Sequence, residues 1–203
     1  ADHCPIKPTD CTVLIPARTG SQRIPHKNFR PLHPDGRNAV QLAVDVALEA
    51  GFRRIVVSTD LPPAERQMIL PVWWNQRPPE LAQADTPMID VVRHLIGQPR
   101  YQPSEAYLLL QPTQPLRRAA HLHQALRLLT PQVDSVVTIG LDRFVRDGTA
   151  YAFWDKTVRR FGTIYGEQVA LLPIPATETC PLDTPDDWIA ASARMGRRTV
   201  SNQ

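Results

Sequence analysis

The residues best suited to chemistry lie between positions 13 and 28, which read VLIPARTGSQRIPHKN. The apolar start predicts a buried strand, because bulky and β-branched side chains favour strands and Pro16 has no N–H to extend the ladder. In the loop that follows, Gly20 permits a close approach of the backbone to a ligand. Three cations of this loop can contact a polyanion together with its amides; they are Arg18, Arg23 and Lys27. The pattern predicts a nucleotide phosphate site, with a solvated basic loop as the alternative.

The elements that must position this loop follow as alternating strand and helix patterns. Apolar and β-branched runs predict strands at 13–15, 53–60, 72–75, 107–110, 135–139, 148–154 and 168–174. Apolar residues at helical spacing predict helices at 39–50, 90–96, 119–129 and 185–194, with a shorter helix at 63–70. This alternation predicts an α/β fold with a Rossmann-like, mostly parallel sheet and helices on both faces. Ligands of such sheets bind beyond the carboxyl ends of the strands.

Length and composition narrow the class of protein. The 203 residues suit one domain over 1–203, with residues 1–11 expected to form a loose N-terminal segment. A formal net charge of +3 without a run of Lys or Arg favours anionic small molecules over nucleic acid. No signal-peptide pattern and no apolar run near about 18 residues is visible, so we expect a cytoplasmic protein without a membrane span. Three cysteines lack metal-ligand spacing and are expected to be reduced thiols; they are Cys4, Cys11 and Cys180.

Five polar segments lie at or near the predicted strand ends: ARTGSQRIPHKN, STD, RPPELAQAD, QPTQPLR and PLDTPDD. Together they resemble the motifs of the acylneuraminate cytidylyltransferases, also called CMP-sialic acid synthetases. The first motif of that family is approximately ARxxSxRxPxKN, and it is matched by Ala17, Arg18, Ser21, Arg23, Pro25, Lys27 and Asn28. The family's RPxELA and QPTSPLR motifs begin here at Arg77 and Gln111, and in the second of them only Gln114 departs, replacing a serine.

The resemblance implies a nucleotidyltransferase with a sheet like that of the nucleotide-diphospho-sugar transferases. Such an enzyme transfers CMP from CTP to an acidic sugar of the nonulosonic acid type and releases pyrophosphate with Mg²⁺. By carry-over, the nucleotide would be held by Ala17, Arg18, Gly20, Ser21, Arg23, Lys27, Asn28 and Arg77. Gln111 and Thr113 would address the acceptor. The catalytic residues would be Arg18, Lys27 and Asp183, with Asp183 as the metal ligand.

The segment that would hold the metal departs from the family pattern. The family reads DIDTPED and this chain reads PLDTPDD, so Asp183 is kept and Pro181 replaces its partner. Because Mg²⁺ commonly uses one or two carboxylates together with phosphates and water, Asp183 alone can still serve as its ligand. Asp186 and Asp187 follow a helix start signal at Thr184 and are expected to stabilise the first turn of that helix. The departure leaves a second interpretation open, a CTP-binding protein with weak or no catalysis.

A second departure is the short connection after the predicted strand at 135–139. Only seven residues separate this strand from Asp147 and Gly148, where relatives carry a far longer segment. In those relatives the segment helps to bind the sugar and builds the dimer interface. Its absence leaves the oligomeric state open and makes a smaller acidic acceptor an alternative. Three cations in or near the region can meet an acceptor carboxylate or lie on the surface: Arg143, Arg146 and Lys156.

Overall fold

The computed structural model describes residues 5–66, 71–101 and 103–201, whose strands form one seven-stranded sheet. The strands are β1 (Cys11–Pro16), β2 (Arg54–Thr59), β3 (Trp73–Gln76), β4 (Ala106–Leu109), β5 (Ser135–Gly140), β6 (Val145–Trp154) and β7 (Val169–Ile174). The helices are α1 (Ala39–Glu49), α2 (Met88–Ile96), α3 (Ala119–Leu128), α4 (Asp155–Phe161) and α5 (Pro185–Ser201). Short 3₁₀ helices lie at Pro8–Asp10, Pro63–Glu65, Pro79–Leu81 and Ala176–Glu178.

The topology places a crevice beside β1. The strand order is β3-β2-β1-β4-β6-β5-β7. After β1 the chain adds β2 and β3 on one side of β1, and then crosses to add β4 on the other side. The switch point of the sheet therefore lies between β1 and β4. Both neighbours run parallel to β1, and Val13 is in register with Ile55 and Leu108. The carboxyl ends of these strands therefore meet at one edge of the sheet.

Within the described sheet, β6 alone runs antiparallel to its neighbours, β4 and β5. Its direction follows from its connection to β5, a turn at residues 141–144 that is too short for a parallel crossover. The start of β6 consequently lies at the same edge as the carboxyl end of β4. The strand begins at Val145, earlier than the predicted Gly148, because Val145 already pairs with Gly140 across the hairpin.

Helices cover both faces of the sheet, so the predicted fold class is confirmed. On one face, α1 and α3 pack on the sheet through Val40, Val44 and Leu122. On the other face, α2 and α4 pack through Val91, Leu95 and Val158. Burial of one such side chain stabilises a fold by about 1.5–3 kcal/mol. A third cluster joins α5 to the start of α1 and to the segment before α5; it includes Ala39, Leu182 and Met195.

The predicted order of strands and helices is observed, and the differences have local causes. Helix α4 was not predicted, because its seven residues bury only Thr157 and Val158 and show no full helical period. In the predicted helix at 63–70, Pro63–Glu65 form a 3₁₀ helix and residues 67–70 lie outside the described part. The predicted loose segment at 1–11 already contains the 3₁₀ helix Pro8–Asp10 and the first residue of β1. None of the described helices is long and apolar enough to cross a membrane.

Candidate active site

A cavity of about 260 Å³ opens where β1 and β4 end, at the switch point of the sheet. We call it the loop cavity, because the cationic loop after β1 forms part of its wall. The rest comes from the end of β1, the residue after β3, the start of α2, the segment after β4 and one residue of the C-terminal segment. The lining consists of Pro16, Arg18, Gly20, Lys27, Asn28, Arg77, Met88, Gln111, Pro112, Thr113 and Asp183.

Two side chains fix the shape of the cationic loop. The Asp60 carboxylate, just after β2, accepts hydrogen bonds from the Thr19 amide at 2.7 Å and from the Thr19 hydroxyl at 2.8 Å. At the far end of the loop, Asn28 Nδ2 donates to the Arg18 carbonyl at 3.0 Å. These contacts hold the loop through its backbone and a hydroxyl, so its cationic groups stay available for a ligand.

The cations of the loop are not neutralised by nearby carboxylates. None of the salt bridges among the described residues involves Arg18, Arg23 or Lys27. Arg18 and Lys27 line the loop cavity, whereas Arg23 is exposed and is not part of its lining. Gly20 leaves room for Arg18, since a Cβ at this position would lie 2.9 Å from Arg18 Nη1. The cavity therefore presents two unpaired cationic side chains.

The position of Lys27 ties the loop to the C-terminal segment. Lys27 Nζ donates a hydrogen bond to the Leu182 carbonyl at 3.1 Å. Burial lowers the pKa of Lys27 below its ordinary value, Asp183 opposes this effect, and the neighbouring Arg18 and Arg23 reinforce it. The attraction of Asp183 is thus outweighed by burial and by the two neighbouring arginines. An anion bound in the loop cavity would raise this pKa, because an opposite charge stabilises the charged form.

Arg77 lines the loop cavity and also closes the carboxyl end of β2. Its Nε and Nη2 donate to the Ser58 hydroxyl and carbonyl at 3.1 Å each, and Nη1 donates to the Leu81 carbonyl at 3.4 Å. Burial lowers the pKa of Arg77, and the Asp60 carboxylate opposes this effect. Because these contacts fix the guanidinium, any remaining N–H group is held in a constant direction.

A second cavity of about 300 Å³ adjoins the first. We call it the hairpin cavity, because the turn between β5 and β6 lines it. It shares Gln111, Thr113 and Asp183 with the loop cavity. The rest of its lining is Gln114, Gly140, Asp142, Arg143, Val145, Arg146, Asp147, Ala176, Thr179 and Pro181. Most of the predicted nucleotide residues and both predicted acceptor residues therefore border two neighbouring cavities with a common wall.

A buried arginine holds this common wall in place. Arg117 Nη2 donates to the carbonyls of Gln111 and Gly148, and Arg117 Nε donates to the Thr149 carbonyl at 3.0 Å. Burial lowers the pKa of Arg117 to about 9, and Asp147 opposes this effect. Arg117 thus joins the end of β4 to β6 and fixes the position of Gln111.

Gly148→Ala tests this close approach of β6 to Gln111. Gly148 has φ +77°, and a Cβ there would lie 2.3 Å from Gln111 Oε1. We expect the alanine variant to lose about 1–2 kcal/mol of unfolding free energy from its backbone conformation, and more from displacement of Gln111. Urea denaturation measures the loss. Gly36→Ala is the matched control, because Gly36 has φ +95° with nothing within 4 Å of the new Cβ. Equal losses in both variants would contradict the steric role of Gly148.

The residue Asp183 precedes α5 in a segment fixed by helix capping. Asp187 Oδ2 accepts hydrogen bonds from the amides of Asp183 at 3.0 Å and Thr184 at 2.9 Å. In return, Thr184 Oγ1 accepts one from the Asp187 amide at 3.2 Å. Asp187 therefore caps the helix, as its sequence context predicts, and its Oδ2 is committed to backbone amides. The Asp183 carboxylate stays at the junction of the two cavities.

The donor set can be compared with the needs of a divalent cation. No cluster of three or more His, Cys, Asp or Glu side chains that could hold a metal ion occurs in the part of the chain that the structure describes. Mg²⁺ usually keeps several waters and binds through one or two carboxylates plus substrate phosphates. Asp183 beside the unpaired cations fits such an ion when a bound polyphosphate supplies the remaining oxygens.

The structure brings most of the predicted site residues together. The loop cavity is lined by Arg18, Gly20, Lys27, Asn28, Arg77, Gln111, Thr113 and Asp183. Three predicted nucleotide residues are not part of its lining: Ala17, Ser21 and Arg23. Ala17 is fully buried in the core, where its amide donates to the Ser58 carbonyl and extends the ladder past β1.

Of the three cations near the shortened region, Arg143 and Arg146 line the hairpin cavity. Lys156 does not; it lies after the far end of β6 and lines a separate cavity with Trp154. The direction of β6 explains this separation, because an antiparallel strand carries its last residues to the opposite edge of the sheet from its first. Sequence spacing alone placed Lys156 too close to the other two.

The residues that sequence analysis missed act by holding other residues. Sequence analysis did not predict that Asp60 holds Thr19 or that Arg117 joins β6 to the end of β4. It also did not place Gln114 in the hairpin cavity. A signal existed for two of them, since Asp60 ends the STD segment and Arg117 ends QPTQPLR. Their partners are far away in the chain, however, and no local pattern marks them.

Comparison with known proteins agrees with this geometry. A family model for cytidylyltransferases matches residues 12–142, more than half of the chain. The chain therefore belongs to the cytidylyltransferase family, as its motifs predict. It is 31% identical over 131 residues to an N-acylneuraminate cytidylyltransferase of Streptococcus agalactiae serotype V, which covers 62% of this chain and 30% of that protein. The enzyme of the same name from Escherichia coli O18:K1:H7 is 28% identical over 125 residues, 59% of this chain and 28% of that protein. The chain thus matches less than a third of the length of these curated relatives.

Solved structures share the fold at low sequence identity. A CMP:2-keto-3-deoxy-manno-octonic acid synthetase complexed with CTP has a TM-score of 0.69 at 16% identity, covering 93% of this chain and 99% of that chain. The protein Rv0371c from Mycobacterium tuberculosis H37Rv has a TM-score of 0.68 at 18% identity, covering 92% and 100%. A manganese complex of Rv0371c has a TM-score of 0.65 at 18% identity, covering 91% and 98%. These similarities establish the fold.

Proposed function

We propose that this chain transfers CMP from CTP to a hydroxyl group of an acidic sugar of the nonulosonic acid type and releases pyrophosphate. The observation that carries the proposal is the pair of unpaired cations, Arg18 and Lys27, in a cavity at the switch point of the sheet. Family membership over residues 12–142 supports it, because this range contains the cationic loop. The relative solved with CTP supports a triphosphate in the loop cavity.

Such a transfer depends on charge neutralisation and alignment more than on covalent help from the protein. The acceptor oxygen forms a bond to the α-phosphorus while the bond between that phosphorus and the bridging oxygen breaks. The bonding electrons leave with pyrophosphate, and the acceptor hydroxyl loses its proton. Arg18 would orient phosphate oxygens with its planar fork, and Lys27 would neutralise them as a compact charge. Gly20, Ser21 and Arg23 would complete the phosphate loop.

The nucleoside would be placed by the two more deeply buried polar residues of the loop cavity. Asn28 Oδ1 is buried and lacks a hydrogen-bond partner among the described residues. A buried acceptor of this kind needs a donor, and a ribose hydroxyl or the cytosine amino group would supply one. Arg77, fixed by Ser58 and Leu81, would offer its remaining N–H groups to the same ligand.

The hairpin cavity would hold the acceptor. Gln111 and Thr113, in the common wall, would direct the acceptor hydroxyl toward the nucleotide, and Arg143 and Arg146 would attract its carboxylate. The curated relatives are named N-acylneuraminate and 3-deoxy-manno-octulosonate cytidylyltransferases, which supports an acidic sugar. The short hairpin makes an acceptor smaller than these sugars the main alternative within this proposal.

Asp183 would hold the divalent cation, which we propose to be Mg²⁺, together with oxygens of the bound triphosphate. When bound, such an ion neutralises phosphate charge that the two cations leave uncompensated. The fold relative Rv0371c was solved as a complex with manganese, which supports the use of a divalent ion. The loss of a second carboxylate at Pro181 favours a second candidate function, a CTP-binding protein that turns over slowly or not at all.

Pyrophosphate release tests the proposal and separates the two candidates. The protein is incubated with Mg²⁺, each of the four common ribonucleoside triphosphates and a panel of 2-keto sugar acids and smaller hydroxy acids. We expect release with CTP and at least one acid, and none when the acid is omitted. Thermal stabilisation by CTP without release across the panel would support the binding protein instead. Absence of both effects would reject the two functions together.

A further inference from the structure

Two departures from the family motifs, one in QPTQPLR and one in PLDTPDD, meet in the wall of one cavity. Gln114 stands in place of the motif serine and Pro181 in place of the motif aspartate, and both line the hairpin cavity. Gln114 Oε1 accepts a hydrogen bond at 3.3 Å from the amide of Cys180, the residue before Pro181. The two substitutions are therefore neighbours in space, although they lie in different motifs.

Gln114 helps to dock the segment that carries Asp183. Next to its contact with Cys180, the Leu182 amide donates to the Thr113 carbonyl at 3.0 Å. Pro181, between these two amides, has no N–H to satisfy. The segment after β4 and the segment before α5 consequently run side by side, each amide of the stretch having a partner. The glutamine side chain is long enough to reach Cys180 from the turn that follows β4.

The other end of the Gln114 amide is left for a ligand. Gln114 is only 4% exposed, and its Nε2 forms no hydrogen bond with any residue that the structure describes. A donor at the wall of a cavity bonds to water in the free protein and to an acceptor atom of a ligand that displaces this water. The replacement of a carboxylate by Pro181 also makes this wall less negative.

Arg143 and Arg146 line the same cavity together with Asp142, Asp147 and Asp183. Asp142 lies 3.8 Å from Arg143, and the Asp147 oxygens accept from Thr138 and Thr149, so two of these carboxylates already have partners. An anionic oxygen can therefore be met by Arg146 and by Gln114 Nε2.

We propose that Gln114 is a specificity-determining residue, whose Oε1 anchors the Asp183 segment and whose Nε2 donates to the acceptor carboxylate. The inference rests on the proposed function, because it needs the hairpin cavity to hold the acceptor. It goes beyond that function because it assigns recognition of the acceptor carboxylate to the wall formed by Gln114 and Pro181. A donor amide and two arginines favour a carboxylate over a neutral group, because a neutral group would leave these donors without an anionic partner.

Gln114→Glu provides the sharpest test, because it keeps an oxygen for the Cys180 amide and replaces the Nε2 donor by an anionic oxygen. Binding of N-acetylneuraminate, 3-deoxy-manno-octulosonate and smaller hydroxy acids is measured by calorimetry in the presence of CTP without divalent metal. At pH 7.5 we expect at least tenfold weaker binding of the acid that wild type prefers, with an unchanged thermal shift from CTP. At about pH 4.5 the defect relative to wild type should shrink, because a glutamate with an ordinary pKa of about 4.3 is then protonated to roughly 40% and regains a donor.

Two further variants complete the test. Gln114→Ser loses both contacts and should weaken acid binding at both pH values. Gln124→Glu, on the exposed side of α3, introduces the same charge change away from the cavity and should bind as wild type does. Equal acid affinity of Gln114→Glu and wild type would overturn the proposal, as would a wild type that is stabilised by CTP and binds no acid of the panel. A wild type that CTP does not stabilise would reject the proposed function itself, and this inference with it.

Discussion

Replacing Lys27 with alanine is expected to remove at least half of the thermal stabilisation that CTP gives this protein. A ligand at one hundred times its dissociation constant stabilises a protein by about 2.7 kcal/mol, which for a chain of this size corresponds to a Tm rise of about 5–10 °C. Lys27 forms no salt bridge with a described carboxylate, and burial lowers its pKa despite Asp183, so a triphosphate gains a charge-assisted contact there. Loss of such a contact, worth about 1.5–3 kcal/mol, should reduce the rise to between about 1 and 5 °C at the same CTP concentration.

The matched control for this variant is Lys156→Ala. Lys156 is exposed, packs over the Trp154 ring at 5.5 Å and lies at the opposite edge of the sheet. The Lys156→Ala variant should leave the CTP shift unchanged, because Lys156 is far from the loop cavity. It is matched to Lys27→Ala because both variants lose one positive charge. Lys27→Met retains most of the side-chain volume and separates loss of charge from loosening near Leu182. A normal CTP shift in both Lys27 variants would show that the triphosphate does not use the cationic loop.

Asp183→Asn is expected to lower kcat by a few hundredfold while CTP still binds in the absence of a divalent ion. The estimate takes the effect of one electrostatic contact to the transition state, about 3 kcal/mol. Asparagine has nearly the same size as aspartate, and the Asp183 contact to Asp187 uses the backbone amide, so the fold of the segment should persist. The measurement is kcat for pyrophosphate release over a series of Mg²⁺ concentrations, together with the thermal shift from CTP alone.

Asp186→Asn controls for the loss of a carboxylate in the same segment. Asp186 is an exposed residue in the first turn of α5, and its removal should change kcat by less than twofold. If Asp183→Asn stayed within threefold of wild type at every Mg²⁺ concentration, Asp183 would not be the metal ligand.

Prediction from sequence succeeded where the determinants are neighbours in the chain. One loop carries Arg18, Gly20 and Lys27. Because this loop follows β1 and the crevice lies beyond the end of β1, the three residues reach the same cavity. The cap formed by Thr184 and Asp187 is likewise local, because its hydrogen bonds join residues within one helical turn. Helix α4 escaped prediction since seven residues with two buried side chains carry too little periodic signal.

The sequence by itself determined the fold class, the order of most elements and the cationic loop, because hydrophobic periodicity and motif spacing are properties of short stretches of chain. Only the tertiary structure decided which distant segments meet: Lys27 with Leu182, Arg117 with Gly148, and Gln114 with Cys180. These contacts depend on the strand order and on the direction of β6. Both result from pairing between segments that are far apart in the chain, and such pairing leaves no periodic mark on either segment.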